Sequence, residues 1–153
     1  MRRHEQEITD RKALEEILRR ALVCRIGLSD ANRPYVVPVC FGYANDCIYV
    51  HSSPFGHKMD IIKNNCAVCF ELDVDVELVK AETACKWSVK YLSVIGFGKA
   101  SVVRDPQEKV RGLNAIMEHY SGSASHDYEP RPVDAAAVIR IEIQSMTGKR
   151  SKS

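Results

Sequence analysis

The sequence predicts a mainly β fold, a small antiparallel β-barrel of about six strands accompanied by about three helices. Short runs of β-branched and aromatic residues are separated by turn-forming residues, and most such connections are short, which favours a barrel over a βαβ fold. From Phe70 to Leu78, apolar residues alternate with Glu71, Asp73, Asp75 and Glu77, the period of a strand with one wet face. The long β-rich stretch 90–103 contains Gly96 and Gly98, which suit the bend or bulge of a barrel strand.

The elements follow in order. Leu14, Ile17, Leu18, Ala21 and Leu22 form one apolar stripe of a helix over 11–22, with Asp10 as its N-cap. Val23 to Ser29 and Tyr35 to Tyr43 are β-type runs joined by Asp30-Ala31-Asn32-Arg33-Pro34, the chemistry of a hairpin turn. Ala44-Asn45-Asp46 makes a second tight connection to the strand Cys47 to His51. A short helix is expected at 57–64, ended by Asn64-Asn65. Asp105-Pro106-Gln107-Glu108 reads as N-cap, proline at N1 and acid at N3 of a helix running to Tyr120. Residues 121–134 read as a surface loop, and Ala136 to Met146 as the closing strand.

The 153 residues suffice for one domain with a core and are too few for two ordinary ones, so 1–153 is expected to be a single domain. With 45% apolar and 27% charged residues, neither disorder nor a fibrous repeat is indicated. The net charge of +2 is spread over interspersed acids and bases, giving no broad field to draw nucleic acid or membrane. Only the tail 148–153 is locally basic. No apolar run approaches the roughly 20 residues that span a bilayer, and the N-terminus lacks the apolar stretch of a signal peptide, so a cytoplasmic protein is expected. Cys24, Cys40, Cys47, Cys66, Cys69 and Cys85 then read as reduced thiols, mostly inside apolar runs.

Three segments carry candidate chemistry. In His51-Ser52-Ser53-Pro54-Phe55-Gly56-His57-Lys58, a strand ends in hydroxyls and glycine before a helix with lysine in its first turn. Helix-start N–H groups, two hydroxyls and an ammonium suit a phosphate dianion; an ordinary capped loop is the alternative. In Tyr35-Val36-Val37-Pro38-Val39, a proline inside a strand removes a ladder hydrogen bond. Either a planar ring with hydrogen-bonding edges faces this stretch, or it is an edge strand. Trp87, Tyr91 and Ser93 offer aromatic and hydroxyl groups to a cofactor, unless Trp87 is a core residue at a barrel end. Cys66-Ala67-Val68-Cys69 spaces its thiols three apart, which in a strand points them to opposite faces, so no metal site is expected. His4, His119 and His126 have no visible partners.

Taken in order, these segments resemble the pyridoxamine 5'-phosphate oxidase-like flavin split-barrel family, and within it the nitroimidazole-resistance proteins. The matching residues include Ile8-Thr9-Asp10, Val23 to Leu28, Pro34 to Val39, Tyr49-Val50-His51-Ser52 with Gly56 and Lys58, and Val68-Cys69-Phe70-Glu71. Cys85-Lys86-Trp87, Tyr91 to Gly98, Ile116 to Tyr120 and Thr147-Gly148-Lys149 continue the match over nearly the whole chain.

The resemblance implies a split barrel in a homodimer with FMN at the subunit interface. It places the phosphate at Ser52, Ser53 and Lys58, with His57 beside it, and the isoalloxazine edge against the backbone of Val37, Pro38 and Val39. The Trp87 to Ser93 region, including Tyr91, would approach from the partner. His51 is placed near the flavin, where it would donate a hydrogen bond or proton to a substrate. Leu92 departs from the basic residue many relatives carry. The function this implies is an FMN-dependent oxidoreductase acting on a small electron-poor acceptor such as a nitroaromatic. The alternatives are a flavin store or electron carrier without turnover, and use of a deazaflavin. No nicotinamide-binding glycine fingerprint is present, so the sequence does not name the electron donor.

Overall fold

The computed structural model describes residues 4–123 and 136–151. Eight strands among them form one antiparallel sheet: β1 (Glu7–Ile8), β2 (Cys24–Asp30), β3 (Arg33–Val39), β4 (Phe41–Ala44), β5 (Cys47–Ser52), β6 (Ala67–Val79), β7 (Ser88–Val102) and β8 (Ala137–Ser151). The helices are α1 (Arg11–Arg20), α2 (His57–Asn64) and α3 (Pro106–Ser121). The strand order is β3-β2-β6-β7-β8-β5-β4, with β1 added against β8.

The two ends of that order, β3 and β4, are neighbours in the chain, joined through Cys40 alone. The sheet therefore curls until its edges meet at one residue, yet β3 and β4 share no ladder, which leaves the barrel split along that seam. The split also raises the strand count above the expected six: the single run Tyr35 to Tyr43 becomes two strands, and β1 is added. Prolines 34 and 38 both sit on the edge strand β3, where a missing N–H costs least. The hairpins turn at Ala31-Asn32 (φ 44° and 72°) and Asn45-Asp46 (φ 49° and 60°), pairs of left-handed residues that match the twist of their strands.

Inside the curl lie Ile26, Phe41, Ile48, Val50, Phe70, Leu72, Ile139 and Ile141, each at most 1% exposed. Helix α1 closes one end with Leu14, Ile17 and Leu18, its first turn held by Asp10, whose carboxylate accepts from Ala13 N–H at 2.9 Å. It stops at Arg20, shorter than the periodicity suggests, and Leu22 is 72% exposed. Helix α3 starts as expected, with Asp105 accepting from Glu108 N–H at 2.8 Å, and ends on left-handed Gly122. His119 has a structural role: its Nε2 lies 2.7 Å from the Ala21 carbonyl and its ring 4.5 Å from that of Phe41.

Three strand readings need correction. The alternation in β6 breaks between Val74 and Glu77, where a bulge places Asp75 at φ 55°, held by an ion pair to Arg20. Beyond it β6 has no pairing with β2, and Val76 and Leu78 are exposed. Strand β8 does not end at Met146 but continues to Ser151, so residues 148–151 of the supposed basic tail pair with β1 and β7. The register shift opposite Phe97/Gly98 lies on β8, where Gln144 is the extra residue, while Gly96 of β7 is required for another reason: a Cβ there would stand 2.1 Å from the Phe70 ring. The expected 121–134 loop lies mostly outside the described residues, as does His126.

All six cysteines are free. Burial pushes the Cys24 thiol up to about 12, so it behaves as a small core hydrophobe. Cys66 precedes β6 and is exposed, while Cys69 lies half-buried within it. No group of three or more His, Cys, Asp or Glu side chains is arranged to hold a metal ion among the described residues. Nor is any described helix long and apolar enough to cross a membrane.

Candidate functional site

Eight of the residues singled out in the sequence line one open cleft of about 520 Å³: Val37, Pro38, Val39, His51, Ser52, Ser53, His57 and Lys58. Three elements bring them together. The edge strand β3 supplies one wall; the side chains of Val37 and Val39 pack on the core, which leaves the strand's backbone edge and Pro38 facing out. The end of β5 supplies exposed His51 and buried Ser52, held in place by pairing with Val138 and Ala137 of β8. Helix α2 supplies the floor at the far end, entered through Gly56 at φ 118°, a conformation that favours glycine.

This far end gathers hydrogen-bond donors and one ammonium. Gly56 has no side chain to cap α2, and with Met59 and Asp60 N–H donating to the Gly56 carbonyl, the His57 and Lys58 N–H groups are the helix-start donors without a partner among the described residues. The Ser53 hydroxyl accepts from Phe55 N–H at 3.3 Å, which fixes the loop beside them. Lys58 is half-buried, and desolvation pulls its ammonium below the ordinary lysine value; it pairs with no carboxylate among the described residues. An ammonium taken partly out of water without a counter-ion is poised for an anion. His57 stands next to it, its Nε2 3.8 Å from the Asp30 carboxylate and its ring 4.9 Å from that of Tyr35. Phe55, 82% exposed, and Cys40 complete the lining.

Tyr91 and Ser93 line a different cleft, also of about 520 Å³, on the outer face of the sheet. The register explains its composition. Asp73, Ser93 and Lys149 lie abreast on β6, β7 and β8, with Glu71, Ile95 and Thr147 in the next row. The Lys149 ammonium donates to the Tyr91 hydroxyl at 3.3 Å. One nitrogen of Arg25, on β2, donates to both Glu71 (3.1 Å) and Asp73 (2.8 Å). Trp87 is not a core residue: it is 48% exposed, just after a short 3-10 turn at Ala84–Lys86, and lines neither cleft. The sequence reading missed Lys149, Glu71, Asp73 and Arg25 as members of this surface. Thr147-Gly148-Lys149 was visible as a motif, but only the strand register shows what it faces.

Residues 10–150 match the family described as pyridoxamine 5'-phosphate oxidase. Among solved structures, a candidate 5-nitroimidazole antibiotic resistance protein from Bacteroides thetaiotaomicron superposes with a TM-score of 0.83 at 34% identity, covering 94% of this chain and 86% of that one. The flavocytochrome Anf3 from Azotobacter vinelandii superposes with a TM-score of 0.83 at 20% identity, covering 100% of this chain and 72% of that one. A FAD and heme binding protein from Mycobacterium smegmatis gives 0.84 at 18% identity, covering 97% and 74%. No curated protein matches the chain. The last two likenesses speak for the fold alone. With the family match spanning nearly the whole chain and a 34% identical relative on the same split barrel, the protein belongs to the pyridoxamine 5'-phosphate oxidase family.

Proposed function

We propose that this protein binds FMN between two copies of itself and uses it to reduce a small electron-poor compound of the nitroaromatic kind, in the cytoplasm. The observation that carries the reading is the cleft in which a partly desolvated Lys58, without a counter-ion among the described residues, sits at a helix start beside two serines, with an open strand edge alongside. That arrangement fits a flavin mononucleotide end to end: the phosphate at Ser52, Ser53 and Lys58, and the ring edge along Val37 to Val39. The 34% identical relative, whose name concerns 5-nitroimidazole resistance, supports the substrate class.

FMN supplies the electron transfer when bound. The chain's own residues have narrower tasks. Lys58 and the helix N–H groups neutralise and anchor the phosphate. The backbone of β3 orients the ring by its edge. His51, exposed near the end of β5 and lining the same cleft, would donate a hydrogen bond or proton to the substrate.

The test is anaerobic addition of NADH or NADPH to protein showing a flavin absorbance band. Loss of that band on adding donor, and its return on adding a nitroaromatic, is the expected result. A flavin that stays oxidised with both donors would point to a store or carrier, and a deazaflavin spectrum would replace FMN itself.

The dimer follows from the two clefts. Tyr91 and Ser93 open on a different surface from the Lys58 cleft, so a flavin touching both sets draws on two subunits. Exposed Val76, Ile95 and Phe97 around the second cleft would be covered by such pairing. Sedimentation is expected to give about twice 17.2 kDa. A monomer holding FMN at full stoichiometry would sink the interface.

A further inference from the structure

We propose that Lys149 offsets the negative charge of the second cleft and thereby biases the bound flavin toward its reduced form; this rests on the reading that the partner's flavin ring meets Tyr91 and Ser93. The charged groups lining that cleft are Glu71, Asp73 and Lys149. Arg25, just outside that lining, donates to both carboxylates from one nitrogen. Lys149 is the member not tied to either acid: its ammonium is turned to the Tyr91 hydroxyl at 3.3 Å, 5.6 Å from the ring centroid. Glu7, its register neighbour on β1, stands on the same face of the sheet one strand beyond the cleft lining and adds a third carboxylate to that row.

Placement of Lys149 is built into the backbone. Gly148 is buried under α1, where a Cβ would stand 2.7 Å from the Leu14 side chain, so β8 can lie close to the helix there. Successive strand residues face opposite ways, which turns Lys149 to the cleft side, abreast of Ser93. A flavin gains negative charge on reduction, and that charge is cheaper beside a less anionic surface than beside a more anionic one. Without Lys149, Arg25 alone would face Glu71, Asp73 and Glu7.

The test compares oxidised FMN with FMN reduced anaerobically by dithionite, measuring the affinity of each for the flavin-free protein. In Lys149→Met, reduced FMN is expected to lose about tenfold more affinity than oxidised FMN. Adding Asp73→Asn to that variant restores the wild-type net charge and should bring the ratio back to within about twofold of the wild type, as should Lys149→Arg alone. A purely structural role would weaken both forms equally. That outcome, an unchanged ratio, or a ratio that Asp73→Asn does not rescue would overturn the proposal while leaving FMN binding intact. Failure of the wild type to bind FMN in either state would remove the flavin reading, and the proposal with it.

Discussion

Replacing Lys58 with alanine should weaken FMN binding roughly ten- to a hundredfold, the loss of a charge-assisted hydrogen bond worth about 1.5 to 3 kcal/mol. Riboflavin, which lacks the phosphate, is the control: its binding should be weak in the wild type and hardly altered by the substitution. The flavin-free variant should be no less stable than the wild type near neutral pH. Burial holds the folded-state Lys58 value below the ordinary 10.5, so below that folded value the charged ammonium disfavours the fold, and this deficit fades as pH rises toward 10.5. Alanine removes the deficit at the outset. Equal weakening of FMN and riboflavin would mean that Lys58 does not read the phosphate. Loss of stability at neutral pH would mean that the ammonium has a partner within the fold.

Gly42→Ala should destabilise the protein by about 3 kcal/mol, lowering the melting temperature by roughly 6 to 12 °C. A Cβ at Gly42 would stand 2.3 to 2.4 Å from the backbone of Ala115 and Ile116, so α3 itself must move off β4. No rotamer change relieves a clash with main chain. The neighbouring bonds would feel the shift, because the Tyr120 hydroxyl accepts from Phe41 N–H at 3.1 Å and donates to the Leu22 carbonyl at 2.9 Å. Gly27→Ala is the comparison, since a Cβ there meets Cys69 only at 3.6 Å and above. If thermal unfolding shows the same small change for both variants, the close approach of α3 to β4 is wrong.

Much of this molecule is local physics and was legible in the sequence. The caps Asp10 and Asp105, the turns at Ala31-Asn32 and Asn45-Asp46, and the alternation of β6 up to Val74 depend on residues within a few positions of one another. The phosphate-suited turn was legible for the same reason, since Ser52, Ser53, Gly56 and Lys58 lie within seven consecutive residues. Resemblance added Val37 to Val39 to that turn, and the structure places all of them on one cleft.

What the sequence left undecided is whatever depends on long-range register and closure. Whether Tyr35 to Tyr43 is one strand or two turns on where the sheet runs out of partners, and the curl that brings β3 and β4 to the same residue is a property of all the strands together. Val76 and Leu78 keep the apolar alternation of a core strand yet face solvent, because β6 has already run past its last pairing with β2, at Glu71, and the bulge at Asp75 lies between them and the core-facing part of the strand. Lys149 looked like part of a basic tail until pairing with β7 set it beside Ser93 and Tyr91, 56 and 58 positions away. A side-chain period of two fixes which residues share a face within a strand, but only cross-strand pairing decides which residues of other strands lie beside them.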